Sequence, residues 1–235
     1  MAQPVTIDDA NLRRMCHLVT HDLRNPLAAI VTNLEFARRL ISRQAEADED
    51  LVEAISDAAT ACDVLRTIVS NFDLVATRAP HAAKRLVELG PTVDAVVARC
   101  TARAAQAEQT LVNHRLAAPT RVEADRNLLE TALENLIANA MQHGPSGSEI
   151  SITQRIDAEH ALIEVVDQGR VIPEEVVEVA LGVEGHTLEG RRPGSRYGRG
   201  LGLLSARLAT ELAGGKLEHA ALDGKNVMRI RLTSA

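Results

Sequence analysis

Aromatic residues are nearly missing from this sequence of 235 residues, which has one tyrosine, two phenylalanines and no tryptophan. The core must therefore be aliphatic. The shortage argues against binding of single-stranded nucleic acid, because that function relies on aromatic side chains that stack with bases. The formal net charge of −6 argues against nucleic acid in general, since domains that bind it carry an excess of lysine and arginine. We therefore expect no nucleic acid partner.

Cysteines and long apolar runs are also scarce. The three cysteines, Cys16, Cys62 and Cys100, are widely spaced and form no CxxC motif, so we predict reduced, buried thiols rather than disulfides or a zinc site. No apolar run reaches the roughly 18 residues that a membrane-spanning helix needs. Charged residues at positions 8, 9, 13 and 14 exclude a signal-peptide core. We expect a cytoplasmic protein with no direct membrane span, whose sensing module is either missing from the chain or located on another protein.

Two long helical patterns occupy residues 10–76. Their apolar positions alternate between spacings of four and three, which predicts a heptad seam on each helix. The first seam contains Leu12, Cys16, Val19, Leu23, Leu27, Ile30, Leu34, Ala37 and Ile41. The second seam contains Leu51, Ile55, Ala58, Cys62, Leu65, Val69, Phe72 and Ala76. The extra four-residue step from Leu23 to Leu27 is a stutter, and the polar residues 42–50 contain the turn.

This helical hairpin is predicted to be the first of two domains. Its seams are wider than one partner helix can cover, which favours a homodimeric four-helix bundle through residues 10–76; a two-helix arm packed on the second domain is the alternative. After a short linker that contains Pro80, strand and helix patterns alternate and predict an α/β sandwich. The fold class is therefore α+β, with a helical domain over residues 1–79 and a second domain over residues 83–235.

The second domain contains five predicted strands, three helices and a hairpin. The strands lie at residues 84–89, 110–116, 120–124, 149–156 and 161–167. The helices lie at residues 91–107, 126–143 and 201–213; Asp125 caps the second, and Gly214 and Gly215 end the third. Residues 216–221 and 226–232 form the hairpin, which turns at Asp223 and Gly224.

Residues 21–27, with the sequence HDLRNPL, carry the candidate reactive group. His21 points away from the apolar seam, and Asn25 lies one turn further along the same face. A neutral imidazole beside a carboxylate suits phosphoryl transfer, because Asp22 can hold the other ring N–H or take up a proton. A proline inside a helix costs about 3 kcal/mol. Pro26 therefore needs a functional reason, although a solvated polar face with a chance proline is the alternative.

A second group of candidate residues lies on the predicted helix 126–143. Asn135, Asn139 and His143 are spaced by four and share one face, whereas the apolar residues of the opposite face pack on the sheet. These apolar residues are Leu129, Leu133, Leu136, Ile137 and Ala140. Amide oxygens are suitable ligands for a hard cation that phosphates already hold, so this face is a candidate Mg²⁺ and phosphate site.

Two glycine-containing segments complete the candidate nucleotide site. Asp167 ends a predicted strand, where its carboxylate can accept a hydrogen bond from an exocyclic amine, and Gly169 lets a ring approach the backbone. The second segment leads into the helix 201–213, whose first N–H groups favour a phosphate. This segment consists of Gly198, Arg199, Gly200, Leu201 and Gly202.

These motifs, in this order, resemble the catalytic core of sensor histidine kinases. Residues 21–27 resemble the H-box, residues 135–143 the N-box, residues 167–169 the G1 box and residues 198–202 the G2 box. The resemblance implies an ATP-binding domain of the GHKL (Bergerat) type, ATP and Mg²⁺ as cofactors, and the receiver domain of a response regulator as a partner. It implies an ATP-dependent protein histidine kinase, with possible reverse phosphatase capacity.

The resemblance also assigns roles to single residues. His21 would accept the γ-phosphoryl group, Asp22 would act as a base, and Asn25 would position water for dephosphorylation of the regulator. Asn139 would ligate Mg²⁺ with the help of Asn135. The full set of nucleotide-binding residues expected from the motifs is Asn135, Asn139, Gln142, His143, Asp167, Gly169, Gly198, Arg199, Gly200, Leu201 and Gly202.

Three departures from the family pattern concern the nucleotide site. Gln142 stands where many relatives have a lysine, and no phenylalanine follows Phe72, although relatives have one in the lid expected at residues 182–197. Val171 replaces the second glycine of the G1 box; if that position required positive φ, valine would cost about 1–3 kcal/mol. Four arginines near the lid could offset the missing lysine: Arg191, Arg192, Arg196 and Arg199. The alternatives are therefore a degenerate kinase that acts as a phosphotransferase or scaffold, and an ATPase switch without phosphohistidine.

Overall fold

The computed structural model describes residues 9–41, 49–76, 84–116, 118–182 and 201–234. These residues divide into two compact units. The first unit contains two long helices, and the second contains the described strands together with the shorter helices. The predicted class, a helical part followed by an α/β domain, is confirmed.

The first unit is a hairpin of helices α1 (Asp9–Ile41) and α2 (Glu49–Ala76), which pack against each other. Helix α1 continues through Pro26. Few described side chains of the hairpin are buried, namely Leu27, Cys62 and Val69. Large apolar side chains remain exposed on both helices: Leu23, Ile30, Phe36, Leu40, Leu51, Val52 and Leu65. The predicted turn and the predicted linker with Pro80 fall largely outside the described residues.

The second unit begins with β1 (Arg85–Glu88), α3 (Leu89–Gln106), β2 (Thr110–His114), β3 (Arg121–Ala124) and α4 (Arg126–His143). It continues with β4 (Glu149–Asp157), β5 (His160–Asp167), a 3₁₀ turn (Glu174–Val176) and α5 (Val177–Ala180). It ends with α6 (Leu201–Ala213), β6 (Lys216–Leu222) and β7 (Lys225–Thr233). Helix α3 begins at Leu89, two residues before the predicted start at Pro91. Pro91 lies in the first turn of the helix, where a backbone N–H has no partner within the helix, so proline is tolerated there.

Five strands form the main sheet in the order β2-β4-β5-β7-β6. Strands β2 and β4 are parallel, and the other neighbouring strands are antiparallel. A separate two-stranded sheet pairs β1 with β3. Helices α3 and α4 pack on the main sheet. The core is aliphatic, as predicted; its largest fully buried side chains are Leu89, Val93, Leu129, Leu133, Leu136, Ile137, Ile150, Ile152, Leu162, Ile163, Ile230 and Leu232.

Local sequence explains where these elements begin and end. The Asp125 carboxylate accepts a hydrogen bond from the Leu128 N–H, which caps α4 as predicted. Helix α6 ends at Gly214, whose φ of +99° suits glycine. Asp223 and Gly224 have φ values of +50° and +74°, so the β6–β7 hairpin turns at the predicted residues with both in the left-handed region.

Ion pairs fix α4, the helix with the candidate Mg²⁺ face, against α3. The Arg99 guanidinium lies 2.8 Å from Glu130 Oε2 and 2.6 Å from Glu134 Oε1. Burial alone would raise the pKa of the Glu130 carboxyl, but hydrogen bonds from Arg126 and Arg99 hold it below its usual range. The two helices are therefore joined on their exposed side as well as through the core.

Candidate functional site

The candidate phosphoacceptor lies in the middle of α1. His21 and Asp22 belong to this helix, but their side chains fall outside the description. Asn25, one turn after His21, is exposed, and so is Pro26. Leu27 is buried, which places the second residue of the stutter on the packed side of the helix. Asn25 therefore has the accessibility that its predicted role requires.

The candidate Mg²⁺ face of α4 is half-buried, and its opposite face packs in the core. Asn135, Asn139 and His143 are all partly exposed, whereas Gln142 is exposed. The five apolar residues predicted to face the sheet are all buried: Leu129, Leu133, Leu136, Ile137 and Ala140. Within the described ranges, the Asn139 side chain forms no hydrogen bond, so its amide oxygen is open to a ligand.

Asn135 connects α4 to α6. Its Nδ2 donates to the Thr131 carbonyl at 2.8 Å and to Ser205 Oγ at 3.1 Å. Ser205 is fully buried on α6, the helix that follows the glycine-rich segment. The Asn135 amide therefore joins α4 to α6 through a hydrogen bond. Ser205 was not predicted from the sequence, because it is 70 residues from Asn135 and no local pattern marks it.

Asp167 lies at the end of β5 with 2% of its surface exposed. Its Oδ1 accepts a hydrogen bond from the Gly169 N–H at 2.7 Å. Gly169 packs so closely on the last turn of α4 that an added Cβ would lie 2.7 Å from the His143 carbonyl oxygen. The glycine is therefore required by its contact with α4, and this contact brings the Asp167 turn to the helix that carries Asn139.

Asn226 is a second buried residue of this site that sequence analysis missed. It lies on β7 directly opposite Asp167 and is 4% exposed. Its Nδ2 donates to Asp167 Oδ1 at 3.1 Å and to the Arg170 carbonyl at 3.0 Å. Its Oδ1 accepts from the Ile172 N–H at 2.9 Å. The side chain thus joins the carboxylate to the backbone that follows it.

Val171 does not have the strained backbone that a glycine replacement could have produced. The described non-glycine residues with positive φ are Glu108, Ala158 and Asp223, and Val171 is not one of them. The cost expected for positive φ at this position therefore does not arise. A valine fits here because the chain follows a path that any L-residue can adopt.

The glycine-rich segment is described only in part. Leu201 and Gly202 begin α6, as predicted, and an added Cβ at Gly202 would meet no atom within 4 Å. Gly198, Arg199 and Gly200 lie outside the described residues, and so do the lid arginines Arg191, Arg192 and Arg196. Their predicted contacts with phosphate remain predictions.

Two further observations concern metals and membranes. Over the described ranges, no group of three or more His, Cys, Asp or Glu side chains is arranged to hold a metal ion. No helix in the described part of the chain is both long enough and apolar enough to cross a membrane.

The cysteines agree with the prediction as far as they are described. Cys62 and Cys100 are buried and free, whereas the side chain of Cys16 lies outside the description.

The chain is similar to curated sensor kinases. It is 29% identical to the sensor protein IrlS of Burkholderia pseudomallei over 84% of this chain and 41% of that protein. It is 25% identical to the sensor histidine kinase YcbM of Bacillus subtilis over 88% of this chain and 66% of that protein. It is 28% identical to the sensor protein CzcS of Cupriavidus metallidurans over 94% of this chain and 45% of that protein. The chain thus spans less than two thirds of the length of these relatives.

Solved structures of histidine kinases share the fold. The Acinetobacter baumannii histidine kinase AdeS matches with a TM-score of 0.56 and 17% identity, over 91% of this chain and 97% of that chain. Full-length ShkA, crystallised in complex with AMPPNP, matches with a TM-score of 0.64 and 17% identity, over 95% of this chain and 46% of that chain. At such identities the likeness concerns the fold alone.

Two family models account for most of the chain. The His Kinase A (phospho-acceptor) domain matches residues 11–79, which include the whole HDLRNPL motif. The histidine kinase-, DNA gyrase B- and HSP90-like ATPase matches residues 124–234, from the end of β3 to the end of β7. The described geometry agrees with both, since one match falls on the helical hairpin and the other on the α/β unit. The chain therefore belongs to the histidine kinase family and contains its phosphoacceptor and ATPase domains.

Proposed function

We propose that this chain is an ATP-dependent protein histidine kinase that phosphorylates His21 and passes the phosphoryl group to an aspartate on the receiver domain of a response regulator. It acts as a homodimer through residues 10–76, and its signal comes from a sensing module elsewhere. The exposed Asn25 gives it phosphatase capacity towards the regulator as well. Asp167 binds adenine, and the face of α4 that contains Asn139 binds the phosphates.

The contact between Gly169 and the last turn of α4 is the observation that supports this function best. It brings the buried carboxylate of Asp167 next to the helix whose half-buried face presents Asn139. An acceptor for an exocyclic amine and a ligand for a phosphate-bound cation thus lie on adjoining elements. A nucleoside triphosphate needs both, since its base and its phosphates are at opposite ends of one molecule.

The chemistry requires a neutral imidazole at His21. One ring nitrogen attacks the γ-phosphorus of ATP, the bond from that phosphorus to the β–γ bridging oxygen breaks, and ADP leaves with the electron pair. Asp22 takes up the proton that the other ring nitrogen releases. In the second step a carboxylate oxygen of the receiver aspartate attacks the phosphorus and the P–N bond breaks. The imidazole takes back the proton that Asp22 holds, which regenerates neutral His21.

The donor set of α4 fits Mg²⁺. Asn139 offers a neutral amide oxygen, which suits a hard cation that already has phosphate ligands. Mg²⁺ held there would supply positive charge that offsets the charge of the phosphates during transfer. Asn135 holds α6 through Ser205 and so keeps the helix that follows the glycine-rich segment next to α4.

Phosphorylation of the full chain tests this function. With Mg²⁺ and ATP labelled at the γ-phosphate, we expect an acid-labile, base-stable label that is lost in His21→Ala. His17→Ala is the matched control, because it removes another histidine one turn earlier on the same helix, and we expect it to keep the label. A label of equal size in His21→Ala, or the absence of any label in the wild type, would contradict the proposal.

A phosphotransfer module with a weak nucleotide site is the second candidate, and Gln142 is the observation that favours it. The exposed amide of Gln142 cannot supply the positive charge that a lysine would offer to phosphates. This candidate predicts no ATP binding at millimolar Mg·ATP, together with transfer of label from a phosphorylated receiver domain to His21. Measurable ATP binding with self-labelling of His21 would exclude it.

A further inference from the structure

The amide of Asn226 uses its whole hydrogen-bonding capacity within the nucleotide site. Its two N–H groups go to Asp167 Oδ1 and the Arg170 carbonyl. Its oxygen accepts from the Ile172 N–H and lies 3.3 Å from His219 Nε2, which donates when that nitrogen carries the proton. A carboxamide has two donor hydrogens and two acceptor lone pairs. The orientation of this side chain is therefore fixed by four partners.

This arrangement limits how the Asp167 carboxylate can be used. Oδ1 already accepts two hydrogen bonds, from the Gly169 N–H and from Asn226 Nδ2. Rotation of the carboxylate would break both, in a place where only 2% of the residue is exposed to water that could replace them. Oδ2 is therefore the oxygen that remains available to a ligand, and its direction is set by the bonds to Oδ1.

The same amide holds the backbone on both sides of Val171. Its Nδ2 donates to the Arg170 carbonyl, and its Oδ1 accepts from the Ile172 N–H. Val171 has no positive φ, so the loop keeps its shape here without the conformational freedom of a glycine. Asn226 supplies from β7 the restraint that fixes this stretch of chain.

We propose that Asn226 is a positioning residue of the nucleotide site, which aims Asp167 at the amino group of adenine and fixes the backbone of residues 170–172. This rests on the proposed binding of ATP at Asp167. Asn226 does not touch the reacting atoms, so it acts through Asp167 and through the loop. A residue with this role affects the choice of base, whereas a residue that only fills the core affects all nucleotides equally.

Binding of ATP and ITP to the full chain tests the positioning role. The two nucleotides differ at purine position 6, where ATP carries an amino group and ITP a carbonyl. We expect the wild type to prefer ATP. In Asn226→Leu, which has a similar volume and no hydrogen-bonding group, we expect ATP affinity to fall by about 10- to 100-fold. ITP affinity should change by less than about 3-fold, because its carbonyl gains nothing from a well-aimed carboxylate.

Asn113→Leu is the matched control. Asn113 lies on β2 of the same sheet, and its amide is also hydrogen-bonded, to Asp94 Oδ1 at 2.8 Å and from Gln154 Nε2 at 3.3 Å. It lacks any bond to Asp167, so we expect the preference for ATP over ITP to survive this substitution. The positioning role would be overturned if the affinities for ATP and ITP fell by the same factor in Asn226→Leu. It would also be overturned if the wild type bound the two nucleotides equally well.

A measurement without nucleotide separates this proposal from the proposed function. Hydrogen exchange of the Ile172 amide should become at least about 10-fold faster in Asn226→Leu, while amides in the middle of β5 and β7 keep their rates. Asn226→Ala should show the same change if the leucine variant does not fold, since water can then enter and hydrogen-bond the freed groups. Unchanged exchange at Ile172 would refute the role of Asn226. A wild type that binds no ATP, with exchange altered as expected, would refute only the kinase function.

Discussion

The helical hairpin and the ATPase domain differ in how much of their apolar surface each buries within itself. In the hairpin, Ile30 and Leu65 belong to the predicted seams, yet they are 48% and 50% exposed. In the ATPase domain the residues predicted to face the sheet from α4 are at most 1% exposed. Both sets of residues were predicted from the same kind of periodic pattern, so the pattern identifies an apolar face without saying what covers it.

This difference teaches that the two domains obtain their stability in different ways. The ATPase domain has three elements of a complete core: a five-stranded sheet, helices packed on it, and buried polar groups that are largely hydrogen-bonded. The hairpin leaves its seams half-covered, which a second copy can correct by forming a four-helix bundle. We therefore expect the stability of the hairpin to depend on protein concentration and that of the ATPase domain to be independent of it.

Breaking the hairpin seam should have the largest effect. We expect Ile30→Lys to raise the dimer dissociation constant by at least about 100-fold, because an unpaired charge buried at an interface costs about 3–5 kcal/mol. Sedimentation over a range of concentrations measures this. Phe36→Lys is the control: Phe36 lies on the same helix and is 62% exposed, but it is not in the seam, so the dimer should persist. Equal weakening by both variants would contradict the four-helix arrangement.

Gly169→Ala tests whether the ATPase domain depends on close contact rather than on association. The new Cβ would lie 2.7 Å from the His143 carbonyl oxygen and 2.8 Å from Asp167 Oδ1. We expect a loss of about 1–3 kcal/mol in unfolding free energy, measured with denaturant, and weaker ATP binding. Gly90→Ala should be neutral or slightly stabilising, because an added Cβ there would meet nothing within 4 Å. If the unfolding free energy and ATP binding of Gly169→Ala were unchanged, the loop that contains Gly169 would be able to move away from α4.

Ser205→Ala examines the link between α4 and α6. It removes one of the two acceptors of Asn135 Nδ2 and leaves the Thr131 carbonyl, and we expect a loss of about 1 kcal/mol in unfolding free energy. A double-mutant cycle with Asn135→Ala should give a coupling energy of about the same size. If the two single losses simply add, the hydrogen bond does not stabilise the domain.

The smallest effect concerns pH. Burial raises the pKa of the Cys100 thiol, because the apolar surroundings disfavour the thiolate. The unfolded chain therefore ionises at Cys100 before the folded chain does. The contribution of Cys100 to the unfolding free energy should be constant below about pH 8 and fall as the pH rises through the ordinary pKa of a thiol, about 8.5. Denaturant titrations should show a shallower fall in Cys100→Ala, and an identical fall would assign the pH dependence to other groups.

Local signals made much of the ATPase domain predictable. Asp125 was recognised as a cap, and Asp223 with Gly224 as a hairpin turn, because each signal consists of adjacent residues with a known backbone preference. The α4 core face was predictable from its spacing. The sheet order was not, since the parallel pairing of β2 with β4 joins strands that are separated by α4 and β3 in the sequence.

The candidate site was predictable only as far as its motifs are continuous in sequence. Asp167 and Gly169 were found, but the reason for the glycine was only partly foreseen, because the His143 carbonyl comes from another element. Asn226 was missed since it bonds to Asp167 across 59 residues, and an isolated asparagine on a strand carries no signal of its own. The effect of Val171 depended on a backbone angle that its identity does not determine.

The two-residue turn between β6 and β7 has a consequence for how this domain can change during evolution. Asn226 follows Gly224 by two positions and lies opposite Asp167, and the turn fixes how β7 is aligned with β6. If a change in turn length moved β7 by one residue along β5, the Asn226 side chain would lie on the other side of the sheet. Surface turns usually tolerate changes in length. The length of this turn sets a strand alignment that the nucleotide site uses. Insertions and deletions at Asp223 and Gly224 should therefore weaken nucleotide binding, as the loss of Asn226 should.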